Sequence, residues 1–220
     1  MKFQSKHISA FCLTALSVSL FFVLRFVKIF SIVGNCAAFF RCSDMVTPLI
    51  GNAGLPSLGI IFALRLALKV LFYGTSLSGL LYQLPGLFAS AYWALDNKLL
   101  ALVVPFVCMV AFLMHPTGFA AAPYMLYWFI PMTLYFVRSK TIFMHSLSST
   151  FIAHAVGSVV WIYLHPMSPA FWLGLIPVVA VERLMFASGM TFVYHVSVFA
   201  KNFFLQQQNF KKFSKVIVHD

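Results

Sequence analysis

The chain has 220 residues, 62% of them hydrophobic and 9% charged, with a mean hydropathy of +0.95. Its formal charge of +11 sets 15 Lys and Arg against four acidic residues, Asp44, Asp96, Glu182 and Asp220. About six spans of roughly 20–25 residues leave no room for a soluble catalytic domain, and the basic balance reads as membrane topology and contact with anionic lipid, with no nucleic-acid partner.

Apolar runs recur from Ile8 almost to Ala200 with short polar interruptions. Lipid leaves stray backbone N–H and C=O groups unsatisfied, so a spanning chain is helical or a closed barrel, and continuous apolar runs exclude the barrel. The expected fold class is all-α, a polytopic helical membrane protein with six or seven transmembrane helices in one integral domain, residues 1–220. Residues 1–24 carry a weakly basic start and an apolar run, as a signal peptide would. No convincing small-x-small cleavage site precedes Arg25, so the run is kept as the first helix, residues 8–30.

Residues 31–56 break the pattern with Gly34, Asn35, Arg41, Asp44, Pro48, Gly51, Asn52, Gly54 and Pro56. Their apolar content favours a folded loop or re-entrant cap over a linker, since loops of this length are uncommon without a function. Cys36 and Cys42 share this segment and pair if it faces an oxidising compartment; Cys12 and Cys108 lie in apolar spans. A second span follows at 57–73, with Arg65 and Lys69 one turn apart. Residues 76–95 are interrupted by Pro85-Gly86, and are either a full span or a re-entrant hairpin. Further spans are expected at 99–114, 119–137, 141–164 and 170–200, the last running into a basic tail, residues 201–220.

Lys and Arg accumulate in short cytoplasmic loops. The Arg138-Ser139-Lys140 loop and the tail with Lys211, Lys212 and Lys215 are therefore placed inside, and the His115–Gly118 and His165–Pro169 turns outside. With 76–95 re-entrant the count is six and Met1 lies inside; with 76–95 spanning it is seven.

Ionisable groups at membrane depth mark functional sites by default. Glu182 and Arg183 fall near the middle of the last helix, where sequence neighbours point about 100° apart. Each is therefore expected to find its partner on another helix, such as Arg65 or Lys69 for Glu182, or in a polar ligand. Ser146, Thr150, His154, Ser158 and Trp161 recur at i, i+4, i+8, i+12 and i+15, one polar stripe on an apolar helix. It faces a ligand cavity or, as small polar residues often do, glues helices together. Tyr124, Tyr127, Trp128 and Pro131 cluster below the external 115–118 turn, either as an interfacial aromatic belt or as the rim of a site. There is no CxxC, HExxH or Gly-rich phosphate loop, and the seven histidines are scattered, so no metal, cofactor or catalytic group is assigned.

Pro116-Thr117-Gly118 leading into the helix with Tyr124 resembles the Gly-Pro-Thr-Gly-Gly-Tyr run before the fourth helix of biotin-binding S components, the substrate-binding subunits of energy-coupling factor vitamin transporters. His115 stands at the leading glycine, and Phe119-Ala120 replaces Gly-Tyr. The general likeness covers about residues 31–200. It implies a bacterial cytoplasmic (inner) membrane protein that takes up a small nutrient such as a vitamin or its precursor. External loops close over the ligand, and the subunit reorients against a transmembrane coupling subunit and ATPase subunits. The expected binding residues are Asn52, His115, Thr117, Tyr124, Trp128, Thr150, His154, Trp161, Glu182 and Arg183. The rivals are an intramembrane lipid-modifying enzyme using Glu182 or a histidine, and an assembly or scaffold protein of a membrane complex.

Overall fold

The computed structural model describes residues 28–33, 36–41, 45–74, 77–137 and 141–217. Its first elements are the strands β1 (Lys28–Val33) and β2 (Cys36–Arg41), an antiparallel hairpin that sets Lys28 opposite Arg41 and Val33 opposite Cys36. The helix expected over 8–30 lies outside the described residues except for its last three, and those are strand. Ile29, Ile32 and Val33 are β-branched, which suits an extended backbone. Cys42 and the 138–140 loop also lie outside the described residues.

A 3₁₀ turn, Thr47–Ala53, leads into α1 (Leu55–Tyr73), which begins with Pro56 in its first turn and ends at Gly74 with φ 73°. Proline suits a first turn, where no N–H is needed, and glycine suits a positive φ. The expected 76–95 segment is two pieces, α2 (Leu77–Leu81) and α3 (Leu84–Leu95), parted before Pro85. Asp96, at φ 39°, stops α3 with its N–H on the Tyr92 carbonyl at 2.8 Å.

The 99–114 run is one continuous helix in two geometries: a π turn, Leu99–Val103, and α4 (Val104–Met114). Pro105 has no N–H for the carbonyl of Ala101, and the ladder widens just ahead of it. The span expected at 119–137 is not one helix. It divides into α5 (Pro116–Ala120), a 3₁₀ stretch, Ala122–Trp128, and α6 (Phe129–Tyr135). Pro123 and Pro131 each delete a donor from the α ladder and clash with the preceding turn, which explains the breaks.

Thr141 caps α7 (Ile142–Leu164) by accepting the Met144 N–H, and Ser168 caps α8 (Pro169–Gly174) by accepting the Phe171 N–H. The expected last helix, 170–200, is this short α8 followed by α9 (Ile176–Ile217), which runs into the basic tail. Among the described residues, three helices are long and apolar enough to cross a membrane: Leu55–Phe72, Ile142–Leu164 and Ile176–Phe203.

Helix α7 is the centre of the assembly, packing against α3, α4, α6 and α9. One core is aromatic: the Phe112 ring meets Trp128 and Trp172 edge-on, each at 5.3 Å between centroids. Such edge-to-face pairs add stability beyond their buried area. The 3₁₀ turn forms a second packed region, with Thr47, Pro48, Leu49, Ile50 and Gly51 all buried against α3. Ser90 fastens the two elements by donating to the Thr47 carbonyl at 2.9 Å. Gly118 has a packing role in α5: a Cβ there would stand 1.9 Å from the Phe112 carbonyl oxygen.

Candidate functional site

A cavity of about 630 Å³ lies between α7 and α9, closed on its other sides by α1, α3, α8 and Tyr124. The α9 wall follows from helical spacing: Val178, Glu182, Phe186 and Met190 recur every four residues on one face, with Val179 and Arg183 beside them. The facing wall of α7 presents Thr150, His154, Ser158 and Trp161. Trp161, 44% exposed, stands near the His165 end, where its ring lies 5.8 Å from that of Tyr82 and 4.4 Å from that of His165. The Tyr82 hydroxyl meets His165 Nε2 at 2.5 Å, joining the turn after α2 to the end of α7.

At the deeper end, Glu182 and Arg183 are buried, 6% and 8% exposed, and form a salt bridge with each other. The 100° offset does not keep these sequence neighbours apart, and the expected partner on another helix is present as well for Arg183. Both side chains are long enough to bend around one shoulder of α9, and a buried charge without a counter-charge is costly. Arg183 Nη1 donates to the Thr150 carbonyl at 3.3 Å, and the guanidinium lies 4.7 Å from the Phe186 ring centre. Arg65 lines the same cavity. Lys69, the other expected partner of Glu182, donates instead to the Gly79 carbonyl at 2.6 Å.

The α7 stripe divides between two jobs. Ser146 is in the helix seam, receiving the Thr191 hydroxyl at 3.2 Å. Thr150 turns its hydroxyl to the Leu147 carbonyl of its own helix, while Ser158 and the Tyr124 hydroxyl meet at 3.3 Å on the cavity wall. Among the buried nitrogens of wall residues, His154 Nε2, Trp172 Nε1 and Arg183 Nε have no hydrogen-bond partner. Each unmet buried group costs about 1–3 kcal/mol, an expense that sites tend to carry for a ligand.

Tyr124, Thr150, His154, Trp161, Glu182 and Arg183 are thus brought to one cavity. Trp128, expected across from the stripe, is 0% exposed in the aromatic core and does not line the cavity. His115 and Thr117 line a separate surface groove with Tyr163 and His165, where His115 Nδ1 accepts the Thr117 N–H at 3.3 Å. Met167 borders both this groove and the cavity. Asn52 is half-buried in the 3₁₀ turn, away from both. Among the described residues no three His, Cys, Asp or Glu gather as a metal site.

The sequence reading missed Tyr82, Phe171 and Trp172 as wall residues. Trp172 follows the Ser168 cap and Pro169, a signal for a helix start, but nothing local shows that this short helix turns its indole inward. The chain matches no family model, no curated protein and no solved structure.

Proposed function

We propose that the protein is a membrane-embedded binding and translocation subunit for a small nutrient, such as a vitamin or its precursor. The observation that carries this reading is the shared cavity: Tyr124, Thr150, His154, Trp161, Glu182 and Arg183 line one space of about 630 Å³. Ligand sites have this size and this mixture of apolar wall and few polar groups. A seam of polar glue alone would leave no such volume. The likeness to energy-coupling factor S components supports the same reading and names its partners, a transmembrane coupling subunit and ATPase subunits, in a bacterial inner membrane.

Helix α3 has 12 residues, about 18 Å at 1.5 Å per residue, short of a hydrocarbon core of about 30 Å, which favours the re-entrant form of 76–95. Membrane lipid covers α1, whose Ile60, Leu64, Leu71 and Phe72 point outward. Ligand enters past Trp161 and Tyr82, beside the His115–Gly118 and His165–Pro169 turns.

Mass spectrometry of what co-purifies in mild detergent, followed by uptake of that compound into vesicles, tests the function. Unaltered compound accumulating inside supports transport, whereas a changed product replaces it with the lipid-modifying enzyme. For the identified compound, Trp161→Ala and His154→Ala are expected to weaken binding by about 1–3 kcal/mol without unfolding the protein. Parental affinity in both variants would return these side chains to a helix–helix seam and overturn the proposal.

The orientation has its own test. In a cysteine-free background, an impermeant thiol reagent applied outside is expected to label a cysteine at Thr117 or Ser168 and to miss one at Ser139. The reverse pattern removes the external entrance.

A further inference from the structure

We infer that the occupant of the cavity carries an oxyanion joined to an apolar, ring-bearing body, an inference that rests on the binding reading above and names its ligand class. The wall's unmet hydrogen-bonding capacity is on nitrogen. Arg183 Nε and Trp172 Nε1 can only donate, and His154 Nε2 donates in one of its two neutral tautomers. The carboxylate nearest to them, Glu182, is already engaged by Arg183. The wall therefore asks for acceptors.

A carboxylate or phosphate supplies several acceptors from one group, and its bonds to a guanidinium are charge-assisted. Arg183 has committed Nη1 to the Thr150 carbonyl and Nη2 to Glu182. An incoming oxyanion meets the edge that remains, with Glu182 as its competitor for the cation. Towards the mouth the wall is aromatic, with Trp161 and Tyr82. Flat rings offer contact area at little entropic expense. A polar head at Arg183 and a ring near Trp161 fit the two ends of the cavity. The same chemistry is offered by a water-soluble organic acid and by the headgroup of an acidic lipid.

The test uses the full chain in phosphatidylcholine nanodiscs and three probes sharing one skeleton: hydrocinnamate, hydrocinnamamide and phenylpropylamine. Binding is read from tryptophan fluorescence and from the melting temperature. Hydrocinnamate is expected to bind about tenfold tighter than the amide or the amine, the effect of about 1.4 kcal/mol. Trp172→Phe, which keeps the ring and removes the donor, weakens the acid selectively. Glu182→Gln, which removes the competing charge, strengthens it, and Arg183→Gln erases the preference.

A second arm replaces part of the phosphatidylcholine with phosphatidylglycerol. A rise in melting temperature that depends on Arg183, with a blunted response to hydrocinnamate, upholds the oxyanion class and assigns it to lipid, overturning nutrient uptake alone. Equal binding of the three probes, or preference for the amine, overturns the oxyanion inference and leaves a binding cavity in place. Silence of all probes in both membranes overturns the inference together with the binding reading.

Discussion

Gly51→Ala is expected to be among the most damaging single substitutions in this chain. An added Cβ would stand 2.0 Å from the Ser90 carbonyl oxygen, 2.8 Å from the Trp93 Cβ and 2.9 Å from the Ala94 nitrogen. None of these is the end of a flexible side chain, so the 3₁₀ turn has to lift away from α3. Thr47 and Pro48 of that turn line the cavity, and the displacement disturbs the site as well as the fold. Overpacking commonly costs 1–3 kcal/mol, and contact with backbone atoms of α3, which cannot swing aside, places this variant at about 3 kcal/mol. Thermal melting in nanodiscs checks it. A variant that melts with the parent would mean that the turn is not seated against α3.

Glu182→Ala is the second large effect. It leaves the Arg183 guanidinium buried with a neutral carbonyl and an aromatic face for company. Breaking one side of a buried pair costs about 3–5 kcal/mol, while replacing both sides by groups of similar volume is often neutral. The double variant Glu182→Gln with Arg183→Met is therefore expected to recover most of the stability lost in Glu182→Ala. Equal melting of the parent and Glu182→Ala would show that water or lipid headgroups reach Arg183. Loss of stability in the double variant as large as in the single one would mean that the pair is irreplaceable for packing, not for charge.

The pair also shows where sequence reasoning stops. That two ionisable residues in an apolar helix carry consequence was legible, because the cost of a charge at depth depends only on its surroundings' polarity. Their mutual salt bridge was not. The 100° offset of neighbours describes Cβ directions, and the reach of Glu and Arg side chains decides the rest. Tyr124 and Trp128 make the same point: four residues apart, they were read as one cluster, yet one lines the cavity and the other fills the core. The 3₁₀ geometry of Ala122–Trp128 changes the angle between them, since three residues per turn replace 3.6.

What the sequence by itself determined is what depends on local composition and length. The apolar runs that became α1, the Leu99–Met114 helix, α7 and the core of α9 were legible because a span's hydrophobicity is a sum over its own residues. The break at Pro85 was legible because proline acts on its own turn. Only the tertiary structure decided which faces meet. Helix α7 shows its polar stripe in the sequence, but the stripe by itself does not say that Ser146 packs in the α9 seam while Thr150, His154 and Ser158 open onto a cavity. The inward turn of Trp172, the seating of Gly51 on Ser90 and the gathering of six polar and aromatic residues around one space all follow from contacts between segments far apart in the chain. Close packing fixes those contacts jointly, and no single segment holds them.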